Sequence, residues 1–443
     1  MQKLLPIVAI VGQPNAGKST LMNKIAGKQL AVTSDVAGTT RDRQYADTSW
    51  NGVNFNLVDT AGLELSAQDE LEHNVARQID IALEEADVII FVVDGRLNRL
   101  SVEQAILKKF RKVKKPLILA VNKLDSPKNK EEKLAEFLSL GIKPMFPISA
   151  LSGAGVGDML DAVADTLKKS DSAQQEVLPA RGIAVSIIGK PNVGKSSVFN
   201  KILKEERVVV SPIPGTTRTA IDSTLIFKGE DYIFIDTAGL KKKVHRQEQP
   251  DVYSGFQTYK AIRRSDVCFF VIDSVEEITK QDQRVASEIF EQQKGCVIIA
   301  NKVDIFQGDR EKLQDYISLH FPFLWMCPLF FVSGKSGEGL EAALDAIKPI
   351  YERRNKNIDD QTLSEFLNKA MKKNPPKLLR DQKTPKVFSL RQYDINPPSF
   401  EVLVNHPAAI SQQFRKFLEN SIIKELDFWG TPIVLRLKGK DKS

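Results

Sequence analysis

The stretch GQPNAGKST at residues 12–20 decides the fold, and the chain repeats it as GKPNVGKSS at residues 189–197. Each copy follows a short apolar run and has the spacing GxxxxGK[ST]. Glycines at this spacing let the backbone curl so that several N–H groups face one point at the start of a helix, where the helix dipole favours anions. The two stretches therefore predict two phosphate-binding loops, each between a strand and a helix.

The repeat extends well beyond these loops. AGTTRDR from Ala37 recurs as PGTTRTA from Pro214, and NLVDTAGL from Asn56 recurs as IFIDTAGL from Ile233. ADVIIFVVD then returns as SDVCFFVID, and LAVNKLD as IANKVD, in the same order. The apolar runs are continuous, which is typical of parallel strands buried on both faces. We predict an α/β fold with two domains, each a mostly parallel sheet with helices on both faces.

The chain of 443 residues divides into four predicted segments. These are a first domain at 1–168, a polar linker at 169–181, a second domain at 182–351 and a C-terminal α+β domain at 352–443. In the last segment TLSEFLNKAM predicts a helix with one apolar face, formed by Leu363, Phe366, Leu367 and Ala370. PKVFSLRQ and SFEVLVN predict strands, ISQQFRKFLENSIIKEL an amphipathic helix and TPIVLRLKGK a closing strand.

The composition, 42% hydrophobic and 27% charged, is that of ordinary globular domains. The longest apolar runs fall short of the roughly 20 residues that a membrane-spanning helix needs, so we predict no contact with a membrane. MQKLLPIVAIVG runs directly into the glycine loop without a cleavage site, which favours a first strand over a signal peptide. Three irregularly spaced cysteines, Cys268, Cys296 and Cys327, favour a reducing compartment, the cytoplasm.

The net positive charge of the chain comes from the C-terminal segment. Residues 351–443 hold 18 Lys and Arg against 11 Asp and Glu, a net charge of +7, which equals the charge of the whole chain. The cluster consists of Lys372, Lys373, Lys377, Arg380, Lys383 and Lys386, with Arg436, Lys438, Lys440 and Lys442 near the end. Such a surface favours nucleic-acid phosphates. A solvated face on a structural domain is the alternative interpretation.

Lysine and hydroxyl side chains are expected to bind the phosphates and Mg²⁺. Lys18 and Lys195 would reach the β- and γ-phosphates, and Ser19 and Ser196 would bind Mg²⁺. Backbone and side-chain groups of the same loops would complete the contacts, in the first copy Gly12, Gly17 and Thr20, and in the second Gly189, Gly194 and Ser197.

The DTAG and GTTR motifs are expected to respond to the γ-phosphate. Asp59 and Asp236 would hold a water of the metal, and Gly62 or Gly239 would offer an N–H to the phosphate. Between them lie further expected contacts, Thr60 and Ala61 in the first copy and Thr237 and Ala238 in the second. Thr40 and Thr217 are favoured over Thr39 and Thr216 for completing the metal shell. Loops of this kind are order–disorder switches.

The NKxD motifs predict selection of guanine. Asp125 and Asp304 can each accept two charge-assisted hydrogen bonds from guanine that adenine cannot donate. Asn122 and Asn301 would brace the loops, and the stems of Lys123 and Lys302 would lie along the base. An N–H for the guanine oxygen would come from the motifs at Ser149 and Ala150 and at Ser333 and Gly334.

One residue expected in many GTPases, a glutamine just after DTAG, is replaced by Leu63 and Leu240. Hydrolysis must therefore be supported in another way. Asn15 and Asn192, within the phosphate loops, have two interpretations: they help to bind a monovalent cation that spreads transition-state charge, or they cap the loop with a side chain.

The tandem PN[AV]GKS, GTTR, DTAGL and NKxD motifs, followed by NPPSFEVLVN and LENSIIKELDFWGTPIVLRL, make the chain resemble the double-Era-like GTPase family (Der, also called EngA) over essentially all 443 residues. The resemblance implies two tandem P-loop GTPase domains, a C-terminal KH-like domain and a bacterial GTPase that binds the large ribosomal subunit during assembly. It also implies dependence on K⁺ through Asn15 and Asn192. The chain departs from the family at Gln13 and Ala16, and its C-terminal domain has no GxxG, the KH feature that clamps nucleic-acid backbone.

Our leading hypothesis is a Mg²⁺-dependent GTPase, stimulated by K⁺, that binds GTP and GDP and uses them to switch its contacts with the large (50S) ribosomal subunit and its rRNA. The alternative is an RNA-binding assembly scaffold in which nucleotide is mainly structural. A membrane-remodelling GTPase is disfavoured because no amphipathic anchor or lipidation signal is present. Nothing in the sequence indicates an obligate oligomer, so we expect a monomer.

Overall fold

The computed structural model describes residues 5–27, 45–59, 86–96, 115–124, 130–171, 182–205, 208–211, 222–237, 252–376 and 385–439. The chain divides into two compact units, Met1–Val177 with Pro250–Phe256, and Leu178–Gln249 with Gln257–Ser443.

The first unit is built on a six-stranded sheet with the order β2-β3-β1-β4-β5-β6. Its strands are β1 (Ile7–Gly12), β2 (Tyr45–Trp50), β3 (Val53–Asp59), β4 (Val88–Asp94), β5 (Leu117–Asn122) and β6 (Met145–Pro147). All neighbours pair in parallel except β2 and β3, which form an antiparallel hairpin. Because β1, β3, β4 and β5 run in the same direction, their carboxyl ends lie along one edge of the sheet.

Helices cover both faces of this sheet, as the continuous apolar runs predict. They are α1 (Lys18–Gly27), α2 (Lys130–Leu138) and α3 (Val156–Asp171). Val8 and Ile10 of β1 belong to one core, with Leu21 of α1 and Met159 of α3, while Val11 belongs to a second core on the other face. Alternate residues of one strand thus pack into different layers, which is why the strand needs apolar residues at successive positions.

The second unit contains a seven-stranded sheet with the order β13-β12-β11-β7-β10-β9-β8. Its strands are β7 (Ile183–Ile188), β8 (Val208–Ser211), β9 (Ser223–Phe227), β10 (Glu230–Ile235), β11 (Val267–Asp273), β12 (Gly295–Asn301) and β13 (Leu329–Val332). The described helices of this unit are α4 (Lys195–Ile202), α5 (Val252–Arg264, of which Gln257–Arg264 belong to this unit), α6 (Lys280–Glu291), α7 (Arg310–His320), α8 (Leu340–Asp345) and α9 (Ile347–Arg354). Within the sheet, the neighbouring strands β13, β12, β11, β7 and β10 pair in parallel. β9 pairs antiparallel with β10, and β8 antiparallel with β9. The repeat in the sequence is therefore a repeat of the fold.

The C-terminal domain has the predicted α+β order α10 (Asp360–Lys373), β14 (Val387–Ile395), β15 (Pro398–Val404), α11 (Gln412–Glu425) and β16 (Val434–Gly439). β15 lies at the centre of its sheet, antiparallel to β14 and parallel to β16. All four residues predicted to form the apolar face of α10 are buried: Leu363, Phe366, Leu367 and Ala370. Burial of the three large side chains contributes roughly 1.5–3 kcal/mol each, and Asp359 caps the helix through the Thr362 N–H.

The C-terminal domain shares its core with the second α/β domain. Met326, which precedes β13, is buried within the C-terminal core. The N–H of Cys296 on β12 donates to the carbonyl of Gly430, and the N–H of Gly430 donates to Met326, at 2.8 and 2.9 Å. Arg354, 1% exposed at the end of α9, donates to the Thr431 hydroxyl at 3.1 Å. These contacts make the two domains one compact unit.

Two predicted segment boundaries fall inside helices. Helix α3 ends at Asp171, three residues into the predicted linker at 169–181, and the boundary between residues 351 and 352 lies within α9. The last turn of α3 carries Lys168 and Lys169. Their positive charges stabilise the negative end of the helix dipole, which favours a helix that continues past residue 168. In α9 the final residue is the buried Arg354.

Two of the cysteines occupy the strands predicted for them, since Cys268 and Cys296 are fully buried on β11 and β12. Cys327 is partly exposed, and all three thiols are free. Among the helices that the structure describes, none has the length and apolar character that crossing a membrane requires.

Candidate functional site

Both phosphate loops connect a strand end to a helix start, as predicted. The first runs from Gly12 at the end of β1 to Lys18 at the start of α1, and the second leads from β7 to α4. Gly17 and Gly194 have φ values of 94° and 92°, in the left-handed region. A Cβ there would lie 2.2 Å from Asn122 Nδ2 and 2.3 Å from the equivalent Asn301 atom. Only glycine allows this close approach of the loop to the asparagine.

Each loop lysine donates hydrogen bonds to two carbonyl groups of its own phosphate loop. Lys18 Nζ donates to the carbonyls of Gly12 and Gln13, both at 2.8 Å. Lys195 Nζ makes the same two contacts with Gly189 and Lys190, both at 2.6 Å. Burial lowers the pKa of Lys18 to about 8, against the opposing effect of the Asp59 carboxylate. Each ammonium is thus held against its own loop, so a positive charge is already in place there.

A hydroxyl and a carboxylate meet beside the first loop. Ser19, in the first turn of α1, donates from Oγ to Asp59 Oδ2 at 2.6 Å, and Asp59 is the last residue of β3. Asp59 is almost fully buried, and its contact with Ser19 places its carboxylate next to the first turn of α1. Oxygen donors of this kind suit Mg²⁺, which prefers one or two protein oxygens and completes its shell with water and phosphate.

The second domain arranges the corresponding aspartate differently. Asp236 follows β10 with a φ of 56°, and its N–H donates to Asp222 Oδ1 at 3.0 Å. Arg264, the last residue of α5, is paired with the same Asp222 carboxylate. The ion pair fixes the backbone at the start of the second DTAG motif. Neighbouring Thr237 is buried and shares a 2.7 Å hydrogen bond with the Ser223 hydroxyl.

In each site one asparagine connects the phosphate loop to the segment at the opposite end of the site. Asn122, the last residue of β5, donates to the Ala16 carbonyl at 2.7 Å and accepts from the Ala150 N–H at 2.8 Å. Asn301, the last residue of β12, donates to Val193 at 2.8 Å and accepts from the Gly334 N–H at 2.9 Å. Each amide thus connects three segments that are distant in sequence.

The lysines that follow these asparagines are held by carboxylates. Lys123 and Lys302 have φ values of 67° and 71°, which turn the chain after the strand. Lys123 Nζ is 2.6 Å from Asp94 Oδ2, and Lys302 Nζ is 2.5 Å from Asp273 Oδ2. Lys123 also donates to the Asn15 carbonyl at 2.6 Å. Its aliphatic stem is therefore stretched between the phosphate loop and the end of β4.

In the second site the predicted base-reading aspartate is oriented by a serine. Ser333 Oγ donates to Asp304 Oδ1 at 2.7 Å and accepts N–H groups from Lys335 and Ser336 at 3.2 and 3.0 Å. Ser333 is fully buried, whereas Asp304 is exposed. The carboxylate therefore faces solvent in a fixed orientation. Ser149 in the first site is buried in the same way and accepts the Ser152 N–H at 3.2 Å.

Many of the predicted site residues lie in the described parts of the chain. Asn15 and Asn192 are exposed and have left-handed φ values of 63° and 66°. Thr20 and Ser197 are exposed in the first turns of α1 and α4, and Ser196 is half-buried. Several predicted residues lie outside the described parts of the chain: Thr40, Thr60, Ala61, Gly62, Asp125, Thr217, Ala238 and Gly239, together with Leu63 and Leu240.

Five charged residues of these sites were not among the predicted site residues. Asp94 and Asp273 each end the strand before the NKxD strand, and the register Asp94↔Asn122 matches Asp273↔Asn301. Their recurrence at the same place in both repeats was the signal that would have identified them. The sequence has Gln13, Tyr45 and Glu85 at the positions that match Lys190, Asp222 and Arg264, so the repeat gives no signal for these three residues.

Each of the two mostly parallel sheets carries a phosphate loop and, at the end of a nearby strand, an NKxD motif. These features define a protein with two GTPase domains. A family model described as 50S ribosome-binding GTPase matches residues 7–123 and 184–302, and one described as the KH-domain-like C-terminal part of EngA bacterial GTPase enzymes matches residues 357–438. The chain is 40% identical to a GTPase Der of Clostridium acetobutylicum over 98% of both chains, and 40% identical to one of Thermoanaerobacter sp. strain X514 over 99% of both.

The chain therefore belongs to the GTPase Der family, and it is a GTPase that binds GTP and GDP. Among solved structures, the G domain of FeoB from Methanococcus jannaschii is 25% identical and covers 38% of this chain and 99% of its own, with a TM-score of 0.28. Era from Aquifex aeolicus, bound to GDP and AlF4⁻, is 24% identical and covers 59% of this chain and 94% of its own, with a TM-score of 0.29.

Proposed function

We propose that this GTPase is a switch in the assembly of the large (50S) ribosomal subunit, binding rRNA in one nucleotide state and releasing it after hydrolysis. The observation that carries the proposal is the fixed attachment of a basic KH-like domain to a GTPase domain, through the shared core around Met326. The match of both GTPase domains to a 50S ribosome-binding family supports the choice of partner.

Exposed basic side chains of the KH-like domain would supply the contact with RNA. Lys372 and Lys373 end helix α10, Lys386 precedes β14, and Arg436 and Lys438 lie on β16, all exposed. Binding to phosphates by such side chains releases counterions, so it weakens steeply as salt is raised. Because GxxG is absent, we expect these lysines and arginines, rather than a backbone clamp, to dominate.

The proposed roles of the phosphate-end residues follow from the contacts around the loops. Lys18 and Lys195 would leave their carbonyl partners to bind the β- and γ-phosphates. Ser19 and Asp59, already 2.6 Å apart, would hold Mg²⁺ in the first site. We assign the same role to Ser196 and Asp236 in the second, with Thr40 and Thr217 completing the shells. Bound Mg²⁺ would neutralise charge on the phosphates.

We assign K⁺ binding to Asn15 and Asn192, whose exposed side chains lie within the phosphate loops. We assign guanine recognition to Asp125 and Asp304, with the N–H groups of Ala150 and Gly334 nearby. The orientation of Asp304 by buried Ser333 supports this assignment, because a carboxylate fixed in advance loses little entropy when it accepts two hydrogen bonds.

We propose that the functional divisions of the chain are 1–168, 182–351 and 352–443, joined by 169–181, and that the protein acts as a monomer in the reducing cytoplasm. The three free thiols are compatible with a reducing compartment.

The proposal is tested by co-sedimentation of the purified chain with large ribosomal subunits in potassium buffer, with either GDP or a non-hydrolysable GTP analogue. We expect much stronger binding with one nucleotide than with the other, and loss of that difference in Lys18→Ala or Lys195→Ala. Variants with Lys372 and Lys373 both changed to Gln should bind more weakly in either state and show a smaller dependence on salt.

Equal binding with both nucleotides, together with negligible turnover in the presence of subunits and K⁺, would favour the scaffold interpretation. Absence of binding in every state would contradict a role on the large subunit. Replacing K⁺ by Na⁺ tests the role of the loop asparagines, since turnover should fall in the parent chain and not fall further in Asn15→Ala/Asn192→Ala.

A further inference from the structure

A buried lysine connects the second phosphate loop to a neighbouring helix. Lys190 directly follows Gly189, the first glycine of the loop, and only 9% of its side chain is exposed. Its Nζ lies 3.2 Å from Glu276 Oε2 and 3.3 Å from Asp282 Oδ2, and it donates to the Glu277 carbonyl at 3.2 Å. The loop is thus attached to the start of α6 by a largely desolvated ion pair.

The carboxylate that receives this lysine is itself fixed. Asp282 is the third residue of α6, and its Oδ2 accepts the N–H and the hydroxyl of Thr279 at 2.9 and 2.7 Å, within a capping box. Asp282 is 1% exposed. Burial acts to lower the pKa of Lys190, but the facing carboxylates outweigh it and raise that pKa, so the lysine stays charged.

The backbone of the same residue supports the phosphate-binding lysine. The carbonyl of Lys190 accepts from Lys195 Nζ at 2.6 Å. One residue therefore contacts the Lys195 ammonium through its main chain and the α6 helix through its side chain. Movement of the Lys190 side chain away from Asp282 would move the carbonyl on which Lys195 rests.

The first domain cannot form this ion pair. Gln13 occupies the position of Lys190, and an amide cannot form an ion pair. Counting from the matched Asp94 and Asp273, the sequence places Leu97 where the second domain has Glu276 and Glu103 where it has Asp282, so the first domain keeps one acid but not the lysine. The charged pair is therefore a feature of one site, although both sites have the same loop motif.

We propose that Lys190 is a positioning residue of the second nucleotide site, which holds the phosphate loop against helix α6 and thereby slows nucleotide release from that site. A loop fixed in its binding conformation loses less entropy when phosphate binds, so the gain is expected in the lifetime of the complex. The proposal rests on the assignment of Lys195 as the phosphate-binding lysine and does not involve ribosomes.

The test measures release of fluorescent GDP from the full-length chain by stopped flow. Lys18→Ala removes the phosphate lysine of the first site, so that release reports the second. In that background Lys190→Gln, which introduces the residue of the first loop, is expected to speed release about tenfold or more. Lys190→Arg keeps the charge and should restore release to within about threefold of the parent rate. Lys280→Gln, which removes an exposed lysine at the start of the same helix, should leave the rate unchanged.

Further measurements distinguish a positioning role at the second site from a general destabilisation of the protein. In a Lys195→Ala chain, which reports the first site, Lys190→Gln should not change the release rate. Asp282→Asn should speed release from the second site, and Lys190→Gln/Asp282→Asn should be no faster than Lys190→Gln alone.

Release from Lys190→Gln at the parent rate would overturn the proposal, as would equal acceleration at both sites or additive effects of the two substitutions. Retention of GDP by the Lys18→Ala/Lys195→Ala chain would instead overturn the assignment of Lys195. The experiment contains no ribosomal subunits, so its outcome is independent of the proposed role in assembly.

Discussion

Replacing Asn301 by alanine should disable the second site without touching a nucleotide directly. The side chain is 2% exposed and makes two hydrogen bonds, to the Val193 carbonyl and from the Gly334 N–H. Alanine would leave both backbone groups without that partner. A buried polar group that loses its partner costs about 1–3 kcal/mol. At about 1.5 kcal/mol each the total is about 3 kcal/mol. Without nucleotide the loop can relax so that water takes these two groups, whereas the binding conformation leaves them unpaired, so binding must offset this cost. Since 1.4 kcal/mol is tenfold in affinity, we expect GDP to bind about 100-fold more weakly.

The assay is titration of fluorescent GDP into a full-length Lys18→Ala chain, with and without Asn301→Ala. Asn122→Ala is the matched control, because Asn122 makes the same two contacts in the first domain and is equally buried. In this background it should leave GDP binding unchanged, while urea unfolding shows whether both variants lose comparable stability. Affinity within about threefold of the parent in Asn301→Ala would refute the reasoning, because the brace would then not govern the loop.

Three further outcomes are expected. Burial lowers the pKa of Lys18 to about 8. The nucleotide-free protein therefore loses the Lys18 ammonium proton as pH rises through 8, whereas bound phosphate favours the charged lysine. In titrations of a chain whose second site is disabled, the affinity of the first site for GDP should be flat below pH 8 and fall up to tenfold per pH unit above it. Thr431→Val removes the hydroxyl that accepts from buried Arg354 and should lower the free energy of unfolding by about 2 kcal/mol in urea titrations, whereas Thr431→Ser should not. Gly194→Ala should abolish GDP binding by the second site, measured by fluorescence, because its Cβ would lie 2.3 Å from the Asn301 amide; binding at the parent affinity would contradict that geometry.

The strands and phosphate loops were predictable because their signals are local. Continuous apolar runs identify parallel strands, and the spacing of Gly194 and Lys195 identifies a turn into a helix wherever it occurs. The apolar face of α10 followed in the same way from the helical period. The recurrence of each motif at the same place in the second copy removed the ambiguity that a single short motif has.

The partners of the site residues could not be predicted to the same degree. The roles of Asn122 and Asn301 as braces followed from a known motif. The recurrence of Asp94 and Asp273 in both repeats marks them as site residues, but it does not show that these carboxylates hold the next lysines. The attachment of Lys190 to Asp282 joins positions far apart in the chain. No short-range pattern reports which acid a lysine will meet.

The sequence by itself determined the two GTPase sheets, the phosphate loops and the order of elements in the C-terminal domain, because each depends on periodicity or spacing within a few tens of residues. Only the tertiary structure decided that the C-terminal domain shares a core with the second GTPase domain and that the two nucleotide sites differ in how their loops are held. The physical reason is that burial and ion pairing depend on which surfaces meet. Arg354 and Lys190 are charged residues that the sequence alone would leave in water, and the fold buries both beside specific partners.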